Sequence, residues 1–172
     1  MNEKKEALLQ ALLSQLPDEE KGIYSEIAYF LAELGYAPEK QRTKDFMLSF
    51  RHKQSGKVIA KAGVRKGKGI FSAKFFGCAD VPPRYAAALE SKIHSRNGQY
   101  CGPLRSQTQK NQCNTCASCT GGKIGYVYSY PDGHEVLRCG AYPIPIPGIT
   151  QEDASGLKSL LTEQHGYFLS LQ

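Results

Sequence analysis

The chain reads as one α+β domain over residues 1–172: an antiparallel sheet made of a three-stranded meander plus a hairpin, packed with helices in the order ααβββαββα. Three observations predict this. Apolar residues recur at helical spacing near both ends of the chain. Between residues 46 and 75 they alternate with polar ones around short glycine turns. A second alternating pair of segments flanks Pro131-Asp132-Gly133, which has the chemistry of a hairpin turn.

Taken in order, Glu3 to Leu16 carries apolar residues at 8, 9, 12, 13 and 16, a helical stripe ended by Pro17. Pro17 then opens a second helix, with Asp18, Glu19 and Glu20 in the first turn, where the helix dipole favours anions. Ile23, Ile27, Phe30, Leu31 and Leu34 form its inner stripe, and Gly35 is its stop. Residues 1–39 are thus expected to be the N-terminal helices.

Three strands follow. Phe46, Leu48 and Phe50 alternate with Met47, Ser49 and Arg51. Beyond Gln54-Ser55-Gly56, Val58, Ala60, Ala62 and Val64 alternate with Lys57, Ile59, Lys61 and Arg65. Beyond Lys66-Gly67-Lys68-Gly69, Phe71, Ala73 and Phe75 alternate with Ile70, Ser72 and Lys74. Such period-two alternation predicts one buried face. Pro82-Pro83 announces a helix over 84–96, and a cysteine-rich loop over 97–122 precedes the hairpin strands 123–130 and 134–139. Pro143, Pro145 and Pro147 predict an extended segment that cannot sit in a sheet centre. Thr150 then caps a last helix carrying Leu157, Leu160, Leu161, Phe168 and Leu169, with Asp153 placed for a capping box.

The hydrophobic share of 41% against 22% charged residues excludes wholesale disorder. No run of about 18 apolar residues exists, and the first residues lack the features of a signal peptide, so the expected location is the cytoplasm. Charge is uneven. Residues 1–39 hold 3 basic and 8 acidic groups, residues 40–74 hold 11 and 1, and the remainder 8 and 7. The basic excess therefore belongs to the meander.

Six cysteines stand at 78, 101, 113, 116, 119 and 139. In a reducing compartment, clustered cysteines point to metal ligation before disulfides. Cys113, Cys116 and Cys119 are three apart, a spacing that lets neighbouring thiolates turn onto one ion. If the turn is centred on Asp132, Cys139 pairs with Gly125, at the end of the hairpin nearest Cys119. Cys101 opens the loop from the other side. The expected metal set is Cys101, Cys119 and Cys139 with Cys116 or Cys113, five thiols competing for four places. Zn2+ fits a Cys₄ loop site; an iron–sulfur cluster is the alternative, since Cys-x₂-Cys-x₂-Cys also opens ferredoxin ligand runs. Cys78, ending an apolar strand, reads as a small buried hydrophobe.

Cys101, Cys116-Ala-Ser-Cys119, Gly125-Tyr126-Val127-Tyr128, Asp132-Gly133 and Arg138-Cys139 resemble a pattern in small cysteine-rich proteins of clostridial-type bacteria. The element order is also similar to small α+β domains of the DUF3788 or YdhG-like kind. The resemblance covers roughly residues 100–145 and implies a fold and a metal rather than an activity. The third knuckle cysteine departs from it.

Arg51, Lys53, Lys57, Lys61, Arg65 and Lys74 are expected mainly on the sheet face opposite the apolar residues, where they could contact an anion or nucleic acid. Tyr126, Tyr128 and Tyr130 share a second face that could stack bases. Against that stands a plain solvated sheet surface. Of the histidines His52, His94, His134 and His165, neither His134 nor His165 has a Ser or Cys partner, glycine elbow or paired carboxylate, and solvated or dipole-complementing histidines are expected. Lys66-Gly67-Lys68-Gly69 lacks the spacing of a phosphate loop. The sequence thus favours a non-catalytic binding module, its partner an acidic protein or nucleic acid, with a thiol- or cluster-based redox protein as the competing reading.

Overall fold

Proline and glycine punctuate the first two elements. Helix α1 spans Glu3–Leu13, its first turn capped by Asn2, whose side chain accepts from the Lys5 N–H at 3.1 Å. Helix α2 spans Asp18–Glu33 and starts directly after Pro17, which has no N–H to leave unsatisfied. It ends at Gly35, whose φ of 88° is the left-handed conformation that closes helices and that glycine adopts without strain. The computed structural model describes residues 2–79, 81–94, 125–129, 135–139 and 143–170, with 89–94, 125–129 and 135–139 as backbone.

Strand β1, Tyr36–Lys40, follows immediately, so the last residues of the 1–39 segment belong to the sheet rather than to the helices. Pro38 within Tyr-Ala-Pro-Glu-Lys reads locally as a breaker. In the fold it sits on an edge, where a missing N–H costs no ladder bond. The expected three strands are present as β2 (Phe46–His52), β3 (Val58–Arg65) and β4 (Lys68–Ala73). A short β7, Ile144–Ile146, closes the far edge with Pro145 opposite Ser72. The sheet is antiparallel throughout, ordered β1-β2-β3-β4-β7, with a proline on each edge strand. Edge prolines discourage pairing with further chains. The three-stranded meander is therefore the centre of a five-stranded sheet.

The β3–β4 connection is the two-residue loop Lys66-Gly67, with φ of 52° and 72°. Positive φ at both positions matches the right-handed twist of the flanking strands. Between β2 and β3 the pairing slips after Phe50↔Ala60 to Arg51↔Val58. Ile59 is thus an extra residue, a β-bulge, and both Ile59 and Ala60 are buried.

Helix α3 (Pro83–His94) packs beside β7, while α4 (Ala154–Ser170) follows a single 3₁₀ turn, Gln151–Asp153. The Thr150 N–H donates to Asp153 Oδ2 at 2.7 Å, one half of the expected capping exchange. Leu9 and Leu12 of α1, Ile23, Ile27 and Leu31 of α2, and Leu157, Leu161 and Phe168 of α4 meet one sheet face in a single core. That face carries Leu48 and Phe50, then Ala62 and Ala60, then Phe71 and Ala73 on successive strands. Small residues on β3 leave room for α4, which contacts that strand. Large neighbours fill the volume on either side, as close packing requires.

The hairpin β5 (Gly125–Ser129) and β6 (Glu135–Cys139) forms a separate two-stranded sheet. Its register runs from Gly125↔Cys139 to Ser129↔Glu135, symmetric about Asp132. No described helix is long and apolar enough to cross a membrane.

Candidate functional site

Two groups of residues carry chemistry: the thiols and the polar cluster beneath the end of α4. Of the expected metal ligands, Cys139 closes β6 opposite Gly125, six positions beyond Cys119 in the chain. Cys101, Cys113, Cys116 and Cys119 lie outside the described residues, as do Tyr130 and His134. Among the described residues no three His, Cys, Asp or Glu side chains gather as a metal would need.

Cys78 has its own environment. Its Sγ–H donates to the Leu160 carbonyl at 3.3 Å, and burial, reinforced by the nearby Glu163 charge, pushes the thiol up to about 12. A thiol held protonated in this way is neither a thiolate ligand nor a nucleophile at neutral pH.

The six basic residues of the meander do not form one open face. Arg51 bonds Glu39 Oε2 from Nε at 2.9 Å and the Gly56 carbonyl from its other end, and Arg65 Nε meets Asp45 Oδ2 at 2.7 Å. Both ion pairs are exposed and contribute little to stability. Lys57 and Lys74 stand over the Phe168 ring of α4, at 5.6 and 5.9 Å from its centre, on the helix-covered side. The bulge at Ile59 accounts for this, since one extra residue reverses which side of the sheet the preceding positions take. Lys74, whose N–H donates to the Ile59 carbonyl at 2.8 Å, is held at the same bulge. Lys61 lies between Ser49 and Ser72 on the face bearing no described helix, and Lys53 is exposed; neither makes an ion pair among the described residues.

A cluster of Tyr36, His52 and His165 lies at the same end of the sheet. His52 ends β2 with a relative exposure of 7%, its ring centre 5.5 Å from that of His165 on α4 and 5.1 Å from that of Tyr36 on β1. The Ser55 backbone N–H donates to His52 Nδ1 at 3.2 Å, with the Ser55 hydroxyl at 3.1 Å from the same nitrogen. Tyr36 is 1% exposed and its hydroxyl lies 3.3 Å from His165 Nδ1. Burial first, and the neighbouring His52 second, hold His165 below the usual histidine range. One turn before Phe168, the buried Gln164 accepts from the Gly77 N–H at 2.9 Å, while its Nε2 has no partner among the described residues. The signal was present in the alternation Leu48, Phe50, His52, which puts His52 on the inward face.

Among the described residues no carboxylate bonds either histidine of the cluster. No family model, no curated protein and no solved structure matches the chain.

Proposed function

We propose that the chain is a non-catalytic α+β binding module whose 97–122 loop is tied to the β5–β6 hairpin by zinc. The observation that carries this reading is the hairpin register. Gly125↔Cys139 brings the last cysteine level with the strand start that follows Cys119 by six residues. Thr120-Gly121-Gly122 lies between them in the sequence. A thiolate set drawn from Cys101, Cys113, Cys116, Cys119 and Cys139 is the soft donor group that Zn2+ accepts in loops, and binding energy there is folding energy. The Cys-x₂-Cys-x₂-Cys run equally supports an iron–sulfur cluster, and with it a redox or sensing role. The partner is an acidic protein surface or nucleic acid, met by the half-exposed Lys61 on β3 and the exposed Lys53 in the turn after β2, in a cytoplasmic setting.

Protein purified without oxygen and subjected to elemental analysis tests the reading. One zinc per chain in a colourless sample, lost together with thermal stability in a chelator, is expected. Brown colour with iron and sulfide in the sample establishes the cluster reading instead. A sample free of both metals, with a melting temperature indifferent to chelator, refutes both. Nucleic-acid binding predicts a mobility shift that weakens steeply with salt.

A further inference from the structure

His52 and His165 face each other with their Nδ1 atoms already occupied as acceptors. A backbone N–H can only donate, so His52 Nδ1 carries a lone pair toward Ser55 and its proton sits on Nε2. The Tyr36 hydroxyl, buried and with its own pKa raised by that burial, has His165 Nδ1 as its one partner among the described residues. Donating to that nitrogen is how the buried O–H is satisfied. The Ser55 N–H in the turn at 53–56 and the Tyr36 hydroxyl on β1 thereby favour the Nε2–H tautomer on both rings.

The surroundings offer an added proton no compensation. Gly35 closes one edge of the His52 ring, and the neighbouring turn of α4 carries Phe168 with Lys57 and Lys74 above it. Glu163, the carboxylate nearest His165 in sequence, accepts from the Ala79 N–H at 3.2 Å. Neither ring is paired with a carboxylate among the described residues. A proton on His165 Nδ1 would oppose the Tyr36 O–H and leave that buried hydroxyl without its acceptor.

We propose that His165, packed against His52 and accepting from the Tyr36 hydroxyl, is an acid-sensitive latch. With its ring neutral it ties the C-terminal turns of α4 to the sheet end and the 53–56 turn; its protonation releases them. For a histidine protonated more readily when released, the closed form is fully favoured above the ordinary pKa of about 6.5 and loses ground as pH falls below it. One ring kept neutral in the closed form gives a roughly tenfold loss in the closing equilibrium at one pH unit below that value.

The test is amide hydrogen exchange across residues 160–168 and 52–57 at about pH 7.5 and about pH 5.5, with rates corrected for intrinsic exchange, a window set around the ordinary histidine pKa. The full-length protein should show about tenfold faster opening at the lower pH, as linkage requires. His165→Asn, which keeps an acceptor at the Nδ1 position but does not titrate, should flatten that response. Equal pH dependence in protein and variant, or none in the protein itself, overturns the latch. Should the variant fail to fold, ring ¹⁵N spectra of the unsubstituted protein decide. Nε2–H on His165 near neutral pH supports the latch, and Nδ1–H on His165 overturns it.

Discussion

Gly35 and Gly56 share a backbone conformation but not an environment, and the pair separates strain from packing. Their φ values are 88° and 66°, both in the left-handed region. A Cβ at Gly56 would meet nothing within 4 Å, whereas at Gly35 it would lie 3.0 Å from His52 Nε2 and 3.2 Å from its Cδ2. Gly56→Ala therefore incurs the backbone term alone, about 1–2 kcal/mol. Gly35→Ala adds the displacement of a ring that Ser55 holds in place, roughly 1–2 kcal/mol more by the measure of overpacked cores. At about 2–4 °C per kcal/mol for a chain of this size, Gly56→Ala should lower Tm by about 5 °C and Gly35→Ala by on the order of 10 °C. Thermal melts at neutral pH measure both. The His52→Ala background should bring the Gly35→Ala cost down to that of Gly56→Ala, a coupling read from the double-mutant cycle. Equal costs in the unsubstituted background, or no coupling with His52, would refute the packing argument.

Cys139→Ser should remove chelator sensitivity from the melting curve and lower Tm, if β6 supplies a metal ligand as proposed; an unchanged curve counts against that ligand. Cys78 should resist iodoacetamide at neutral pH in the folded protein and react on denaturation, because its thiol donates to Leu160 and is pushed up to about 12; peptide mapping after alkylation reports it. Arg84→Ala should cost about 1–3 kcal/mol, since the guanidinium bonds Asp153 and the carbonyls of Pro147 and Gly148, and its loss strips a largely buried carboxylate of its ion pair. Burial works against the Asp153 anion, yet the Thr150 N–H and Arg84 together hold its pKa below 3.8. A carboxyl lowered in the folded state contributes stability in full above its unfolded pKa and loses it as pH falls through the folded one. Denaturant melts below about pH 4, the ordinary aspartate range, should therefore show Arg84→Ala losing less on acidification than the unsubstituted chain.

What was legible in the sequence was local. Pro17 and Gly35 delimit α2 because one lacks an N–H and the other tolerates positive φ, properties that need no knowledge of the rest of the chain. The hairpin register about Asp132 followed from turn chemistry, and with it the pairing of Cys139 with Gly125. Alternation located β2, β3 and β4.

What only the tertiary structure decided was non-local. Tyr36–Lys40 is short and holds a proline, so nothing in its own sequence marks it as a strand; Ile144–Ile146 reads as extended and off the sheet centre, but only the exposed edge of β4 makes it a strand. The bulge at Ile59 turns Lys57 toward Phe168, against a simple reading of alternation, and Lys74, bonded to the Ile59 carbonyl just past β4, stands over the same ring. Tyr36, His52 and His165 come from three separate elements and meet because α4 settles over the alanines of β3. Backbone preference and periodicity are written between neighbouring residues, but which surfaces meet is set by the burial available when distant elements pack together.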